Sequence, residues 1–367
     1  MIPISYYTAV YYIFTSSITL ILCVRLFTEK NTNLENEFKN KAWSTLLLLV
    51  TILFIGLREP WDFNQYFGDT VRYTRRFEQL AMSASTDLSG ARDVMFLYFM
   101  QFSASFMNVS MFYFLCAFLY VYPVYATFKK WFSSFAVYAL FIYVASFSFW
   151  GYGINGIRSG LAASFFIFAI GNVNRKWLML LFMALSASMH LSILMPIAIF
   201  FISFVVKNAK WVIIIWFASI AVCLLAGYTI LNLVYLFMPG IVDEGRAATY
   251  LMMGELRDEV LDNIRFRPDF ILYSAIPILL GWYYMKKGYK DRFYTHLFNT
   301  YVLTNAVWIA LFMYAPYTNR FAFLSWCIMP IVMIYPLLKK KIMKNQYRFI
   351  GYLIFGNLLF TLFMFIR

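Results

Sequence analysis

The sequence predicts an all-α polytopic integral membrane protein: about 12 transmembrane helices, a re-entrant or interfacial helix and two large outer segments. Three observations carry that reading. Hydrophobic residues make up 62% of the 367 residues and charged ones 13%, where a soluble domain carries roughly 25% charged. Apolar runs of the length a bilayer demands, about 20 residues, recur along the whole chain. The short alternating segments of a membrane β-barrel are missing from the pattern.

Taken in order, the expected spans are 4–26, 42–58, 109–128, 131–150, 157–174, 177–189, 191–206, 211–236, 269–286, 293–314, 320–338 and 348–366. The first run carries no basic leader segment and has Arg25 at its far end, so it is expected to be an uncleaved span. Residues 92–108 are also apolar, and charge decides their fate. If they do not cross, all fifteen lysines fall in connections on one side, the arrangement the positive-inside rule requires. A span there would break the agreement. Both termini are then outside, and 92–108 is the re-entrant or interfacial helix of the outer face.

Arginine obeys a different pattern. Arg25, Arg175, Arg292 and Arg348 lie with the lysines, whereas Arg58, Arg72, Arg75, Arg76, Arg92, Arg158, Arg246, Arg257, Arg265, Arg267, Arg320 and Arg367 lie opposite. A guanidinium offers a planar fork that matches phosphate in two hydrogen bonds, which an ammonium cannot do. An outer face with arginine and no lysine points to a phosphate-bearing ligand, against the plainer reading of pairing with acidic residues or lipid head groups.

Within one transmembrane domain, 1–367, two outer segments exceed ordinary loop lengths: 58–108 and 237–268. The second mixes acidic residues and arginines at helical spacing and reads as an amphipathic surface helix or lid. In the first, Gly68-Asp69-Thr70 reads as a helix start with Asp69 as N-cap. The helix then sets Asp69, Arg72 and Arg76 on one face with Tyr73 beside them. Shorter constellations add Asn155 and Arg158 in "WGYGINGIRSG", His190 between two short apolar runs, and Arg320 beside Asn319 at the head of a late span. Charge at such depth is expensive and marks function by default, although snorkelling explains a single arginine equally well. The four cysteines (Cys23, Cys116, Cys223, Cys327) are scattered in apolar runs and read as small hydrophobes. Two histidines make no His-rich metal site.

These residues resemble a known pattern. "GLR" at 56–58 followed by "GDTVRYTRRF" at 68–77 is similar to the R…G-x-D-T-x-x-Y…F opening of EpsG-type polysaccharide polymerases. "NGIRSGLAASFFIFAI" at 155–170 resembles that family's N-x-I-R-Q-G-L-A segment, with Ser159 where Gln is usual. "ASMHLSILMPIAIF" at 187–200 resembles its F-H-x-S-A-L-x-x-L-P segment, with Met189 for Phe, and "NRFAFLSW" at 319–326 its late arginine-containing span. The matches run in family order. The resemblance implies a Wzy-type, GT-C-like glycosyltransferase of the bacterial cytoplasmic membrane. It would join undecaprenyl-diphosphate-linked oligosaccharide repeat units at the outer, periplasmic face into O-antigen, capsule or exopolysaccharide.

On that reading no metal or other cofactor is expected. His190, Asp69 and Arg158 are the candidate catalytic residues, His190 and Asp69 competing as the base. Arg58, Arg72, Arg320, Asn155 and Tyr73 are the candidate substrate-binding residues. The expected partners are the lipid-linked oligosaccharides, the bilayer and a chain-length regulator protein; no nucleic acid is expected. An O-antigen ligase uses the same donor chemistry and stays open as an alternative. So does a flippase for the same lipid-linked glycan, against which the absence of an internal repeat argues.

Overall fold

The structure, a computed structural model, describes residues 4–28, 36–61, 66–82, 93–237, 266–315 and 317–366. Helices account for all the regular structure among them. In chain order they are α1 (Ile4–Thr28), α2 (Glu37–Gly56), α3 (Thr70–Met82), α4 (Val94–Ala104), α5 (Val109–Phe132), α6 (Ala136–Val144), α7 (Phe147–Ile154) and α8 (Ile157–Gly171). The rest are α9 (Lys176–Met189), α10 (Leu194–Ser203), α11 (Ala209–Phe237), α12 (Pro268–Lys286), α13 (Arg292–Phe312), α14 (Thr318–Trp326), α15 (Met329–Lys339) and α16 (Gln346–Ile366). The proposed lid helix in 237–268 falls almost wholly outside the described residues.

Every predicted apolar run is helical, yet fewer helices meet the demands of a bilayer. Among the described residues six are long and apolar enough to cross: Ile4–Thr28, Lys39–Gly56, Val109–Val144, Ala209–Val234, Thr318–Lys339 and Gln346–Ile366. Counting the bent pair α7–α8 as one span makes seven. α9 and α10, at 14 and 10 residues, are short of the roughly 20 that a crossing needs. α13 has the length but buries His296, Asn299, Thr300, Thr304 and Asn305. The 11-residue α4 reaches only about 17 Å at 1.5 Å per residue, which fits the expected non-crossing helix of the first outer segment.

The chain divides into two compact units, Met1–Ile193 with Leu337–Arg367, and Leu194–Pro336. In the first, α5 is central, with α2 packed on it antiparallel, Gly56 meeting Phe114, and α8 parallel, Gly160 meeting Tyr120 and Gly171 meeting Thr127. Asn108 caps α5, its side chain accepting from the Met111 N–H at 2.9 Å. Asn36 caps α2 in the same way. Lys130 Nζ at the far end of α5 donates to Asn172 Oδ1 beyond α8 at 2.9 Å. Lys39 and Lys41 begin α2, and Lys339, Lys340, Lys341 and Lys344 line a cavity with Phe135 just past α5. The lysines therefore collect at one end of the helices, and Arg58, Arg72 and Arg158 at the other. α5 itself, at 24 residues, is about 36 Å long.

In the second unit α13 is central, packed by α10, α11 and α14. Asn305 Oδ1 accepts from Trp216 Nε1 at 2.7 Å, and its Nδ2 donates to Ser274 Oγ and Ser325 Oγ at 3.0 Å each. Trp326 Nε1 donates to the same Ser274 hydroxyl at 2.9 Å. A buried amide satisfied in this way fixes one register for the four helices that meet at it. Lys207, Lys290 and Arg292 surround one end of this unit, and Arg320 lies toward the other, beyond the C-terminus of α13.

Candidate active site

The site is built where the α7–α8 connection turns back. The two helix axes differ by 119°, and Asn155-Gly156 forms the elbow. Gly160 lets α8 close against α7, since a Cβ there would lie 2.5 Å from the Tyr152 carbonyl oxygen. Asn155 then faces the entry to α3. Its Oδ1 accepts from the Asp69 N–H at 2.8 Å, and Thr70 Oγ1 donates to the Ile154 carbonyl at 2.9 Å. Gly68 adopts φ +56°, a left-handed backbone that side chains resist, and a Cβ there would lie 2.6 Å from Asn155 Cγ. Two segments 86 residues apart thus interlock through Gly-Asp-Thr and Asn.

α3 is amphipathic as predicted. Thr70, Val71, Thr74, Phe77 and Leu80 are buried, and Arg72 and Arg75 are exposed. Asp69 Oδ1 lies 3.2 Å from Arg72 Nη1, the spacing of three predicted from the sequence. Below the helix, the Tyr113 hydroxyl donates to the Thr70 carbonyl at 2.8 Å and lies 2.7 Å from Thr74 Oγ1. Arg58 stacks over the Tyr113 ring, 4.1 Å from its centroid, and donates from Nη1 to the Ile55 carbonyl at 2.9 Å. At 1% exposure Arg58 is part of the core under α3, not of the face that α3 presents.

The elbow aims Arg158, in the first turn of α8, at a residue that the sequence reading passed over. Arg158 Nη1 donates to Asp93 Oδ2 at 2.6 Å, and Arg158 Nε donates to the Tyr73 hydroxyl at 3.2 Å. His190 Nδ1 lies 3.1 Å from the same Asp93 Oδ2, and the Leu191 N–H donates to Asp93 Oδ1 at 3.3 Å. Asp93 ends the connection before α4; His190 follows the last turn of α9, whose Ser186 hydroxyl anchors it to the Ala162 carbonyl at 2.6 Å. The side chains of Asp93, His190 and Arg158 are 6%, 15% and 36% exposed. The carboxylate is therefore enclosed while the guanidinium still meets the outside.

Burial pushes the Asp93 carboxyl up. The hydrogen bond and charge of His190, the charge of Arg158 and the Leu191 N–H outweigh it and hold the group below the usual carboxylate range. Asp93 is therefore an anion, and an anion only accepts hydrogen bonds. In its neutral form His190 then donates from Nδ1 and carries its lone pair on Nε2. A guanidinium has five N–H groups. Two of Arg158's are committed, to Tyr73 and Asp93, and among the described residues no other protein group takes the remaining three.

Of the sequence-predicted residues, the structure brings together Arg158, His190 and Tyr73, with Asp69 and Asn155 one contact removed and Arg72 held on Asp69. His190 is paired with Asp93 rather than with Asp69. Arg320 lies in the second unit, stacked over Tyr317 at 4.8 Å from the ring centroid, with Tyr317 at φ +55°. The signal for Asp93 was its position, an acid at the mouth of an apolar helix too short to cross.

The chain matches the EpsG family over residues 41–367. It belongs to that family. The segments through which the resemblance was first read, GDTVRYTRRF, NGIRSG and SMHLS, are the ones that supply Tyr73, Arg158 and His190 to one site. No curated protein and no solved structure matches the chain. Membership of the EpsG family points to a polysaccharide polymerase embedded in a membrane.

Proposed function

We propose that this EpsG-family protein is a glycosyltransferase of the bacterial cytoplasmic membrane that polymerises undecaprenyl-diphosphate-linked oligosaccharide units on the outer side. The donor is a glycan whose reducing end is esterified to the lipid diphosphate. The acceptor hydroxyl of a second unit attacks the anomeric carbon, and polyprenyl diphosphate departs. Negative charge grows on that leaving group, so fixed positive charge beside it contributes most to the rate. The proposal extends to the twelve-span, GT-C-like topology, to a chain-length regulator as partner, and to arginine in place of a metal ion at the diphosphate.

The observation that carries the reading is Arg158: a guanidinium held in place by Tyr73 and Asp93, with three N–H groups still open, where three family segments meet. Such a fork suits a diphosphate in two parallel hydrogen bonds. Arg72, half exposed one turn into α3, is the second cation of the same unit placed to meet it.

The test is gel analysis of surface polysaccharide in a strain lacking the protein, complemented with wild type or with Arg158→Lys. Wild type restores the chain-length ladder. Arg158→Lys, present in membranes at wild-type level, gives single-repeat products. A normal ladder with Arg158→Lys refutes the clamp. Lipid-linked units trapped on the inner side would make the protein a flippase, and polymer left unattached to its final acceptor would make it a ligase.

A further inference from the structure

We propose that Asp93 is a positioning residue that fixes His190 in the tautomer with its lone pair on Nε2, and that this Nε2 is the base that takes the acceptor hydroxyl proton. The inference rests on the polymerase reading and adds to it the proton's route, which the sequence left open between Asp69 and His190.

The geometry separates the two candidates. Asp69 is tied to Arg72 through its carboxylate and to Asn155 through its N–H; both contacts serve the seating of α3. Asp93 is nearly sealed and receives three donors, from Arg158, His190 and the Leu191 backbone. Its side chain is 6% exposed, which closes it to a substrate hydroxyl. The His190 ring is partly exposed, and among the described residues its only hydrogen-bond partner is Asp93 through Nδ1. The open nitrogen is Nε2, on the opposite side of the ring.

The step balances as follows. The acceptor O–H proton passes to Nε2 as the new O–C1 bond forms. The bond from C1 to the diphosphate oxygen breaks, and its electron pair leaves on the polyprenyl diphosphate. Asp93 carries the countercharge for the imidazolium. The imidazolium then returns its proton to the departing diphosphate or to water. One carboxylate thus touches both the residue that receives the proton and the residue that meets the leaving group, so Asp93 sets the distance between base and clamp.

The charged and titratable groups around the pair are few. α8 contributes Arg158; α3 contributes Tyr73 and, through Arg158, Asp69. α4 adds only Tyr98, and α9 only Lys176 at its far end.

Two measurements test this. The first needs no turnover. The protein has only two histidines, His190 and His296, so ¹⁵N-histidine labelling in lipid nanodiscs gives two imidazoles, assigned with His190→Gln. Above the histidine titration, wild-type His190 should carry its proton on Nδ1, and Asp93→Asn should move it towards Nε2. A wild-type Nε2–H tautomer overturns the proposal.

The second is the rate of ladder formation in membranes that supply the native lipid-linked units. His190→Gln should lose about 10²- to 10⁴-fold in kcat. Asp93→Asn should lose on the order of 10²-fold in kcat with little change in KM, and the acidic limb of its pH profile should move to lower pH, because the charge that favours imidazolium is gone. Asp93→Glu should recover part of the rate. Wild-type kcat and profile in Asp93→Asn would refute the role of Asp93 and leave the polymerase reading standing. Absence of any ladder from wild-type membranes would refute that reading itself.

Discussion

Gly68 gives the most direct handle on how the site is held together. Replacing it with alanine does two things at once. Alanine at φ +56° costs about 1–2 kcal/mol, because its Cβ crowds the following carbonyl in the left-handed region. The same Cβ would sit 2.6 Å from Asn155 Cγ, whereas ordinary van der Waals contact begins at 3.4 Å. Either the Asn155 amide swings out of its bond from the Asp69 N–H, or the start of α3 and the α7–α8 elbow separate by about 0.8 Å, the difference between those two distances. Both the Asp69–Asn155 bond and the 3.2 Å Tyr73–Arg158 bond bridge that gap. A misplacement near 1 Å at a reacting centre is worth about 10²-fold in rate. Gly68→Ala should therefore reduce polymerisation by about two orders of magnitude while the protein stays in the membrane. Gly68→Asn separates the two causes: asparagine tolerates the left-handed backbone but keeps the Cβ, so it too should fail. In Gly68→Ala/Asn155→Ala the obstructing amide is gone, and the double variant should lose less than the sum of the single losses. The assay is the chain-length ladder normalised to immunoblotted protein, with a melting curve in detergent beside it. A wild-type ladder and melting temperature for Gly68→Ala would refute the interlock.

Two further outcomes follow from the surroundings of the site. Arg58→Met should destabilise the fold by about 3 kcal/mol, since it removes a charged donor to a buried carbonyl and a desolvated stack on Tyr113; wild-type melting with lost activity would instead place Arg58 on the ligand. Asp93 has a folded pKa below its unfolded one, so its contribution to stability is present above the unfolded carboxylate value of about 3.9 and is lost as pH falls through the lower folded value. With His190→Gln in both proteins to remove the histidine's own titration, the melting difference between Asp93 and Asp93→Asn should be constant from about pH 5 to 8 and shrink only in stronger acid; a difference that widens towards low pH would contradict the anionic assignment.

The sequence carried much of this, and its failures have physical causes. Spacing alone predicted the Asp69–Arg72 pair, because three residues on a helix are always neighbours. The segregation of lysine from arginine predicted the two ends of the helices. It could not distinguish Arg58, which lies in the core, from Arg158, which lies in the site: both are arginines at the edge of an apolar run, and burial is decided by Tyr113, 55 residues away. Asp93 was invisible for a related reason. An acid at a helix mouth is usually a cap, and only the fold shows that residues 93, 158 and 190 come from three helix ends converging on one point. The bent α7–α8 pair shows why apolar runs alone do not count crossings: two apolar helices joined at 119° can make one broken span or a re-entrant turn.

The lysine-bearing ends of the helices have a practical consequence. In the first unit's described helices the lysines lie at the ends opposite Arg158. On the proposed topology, a membrane-impermeant amine reagent applied to sealed vesicles should modify the lysines heavily in one orientation and scarcely in the other; equal labelling in both would refute that topology. The chain carries its own compass, and the sidedness of the reaction can be measured on unmodified protein, with no reporter fused to either terminus.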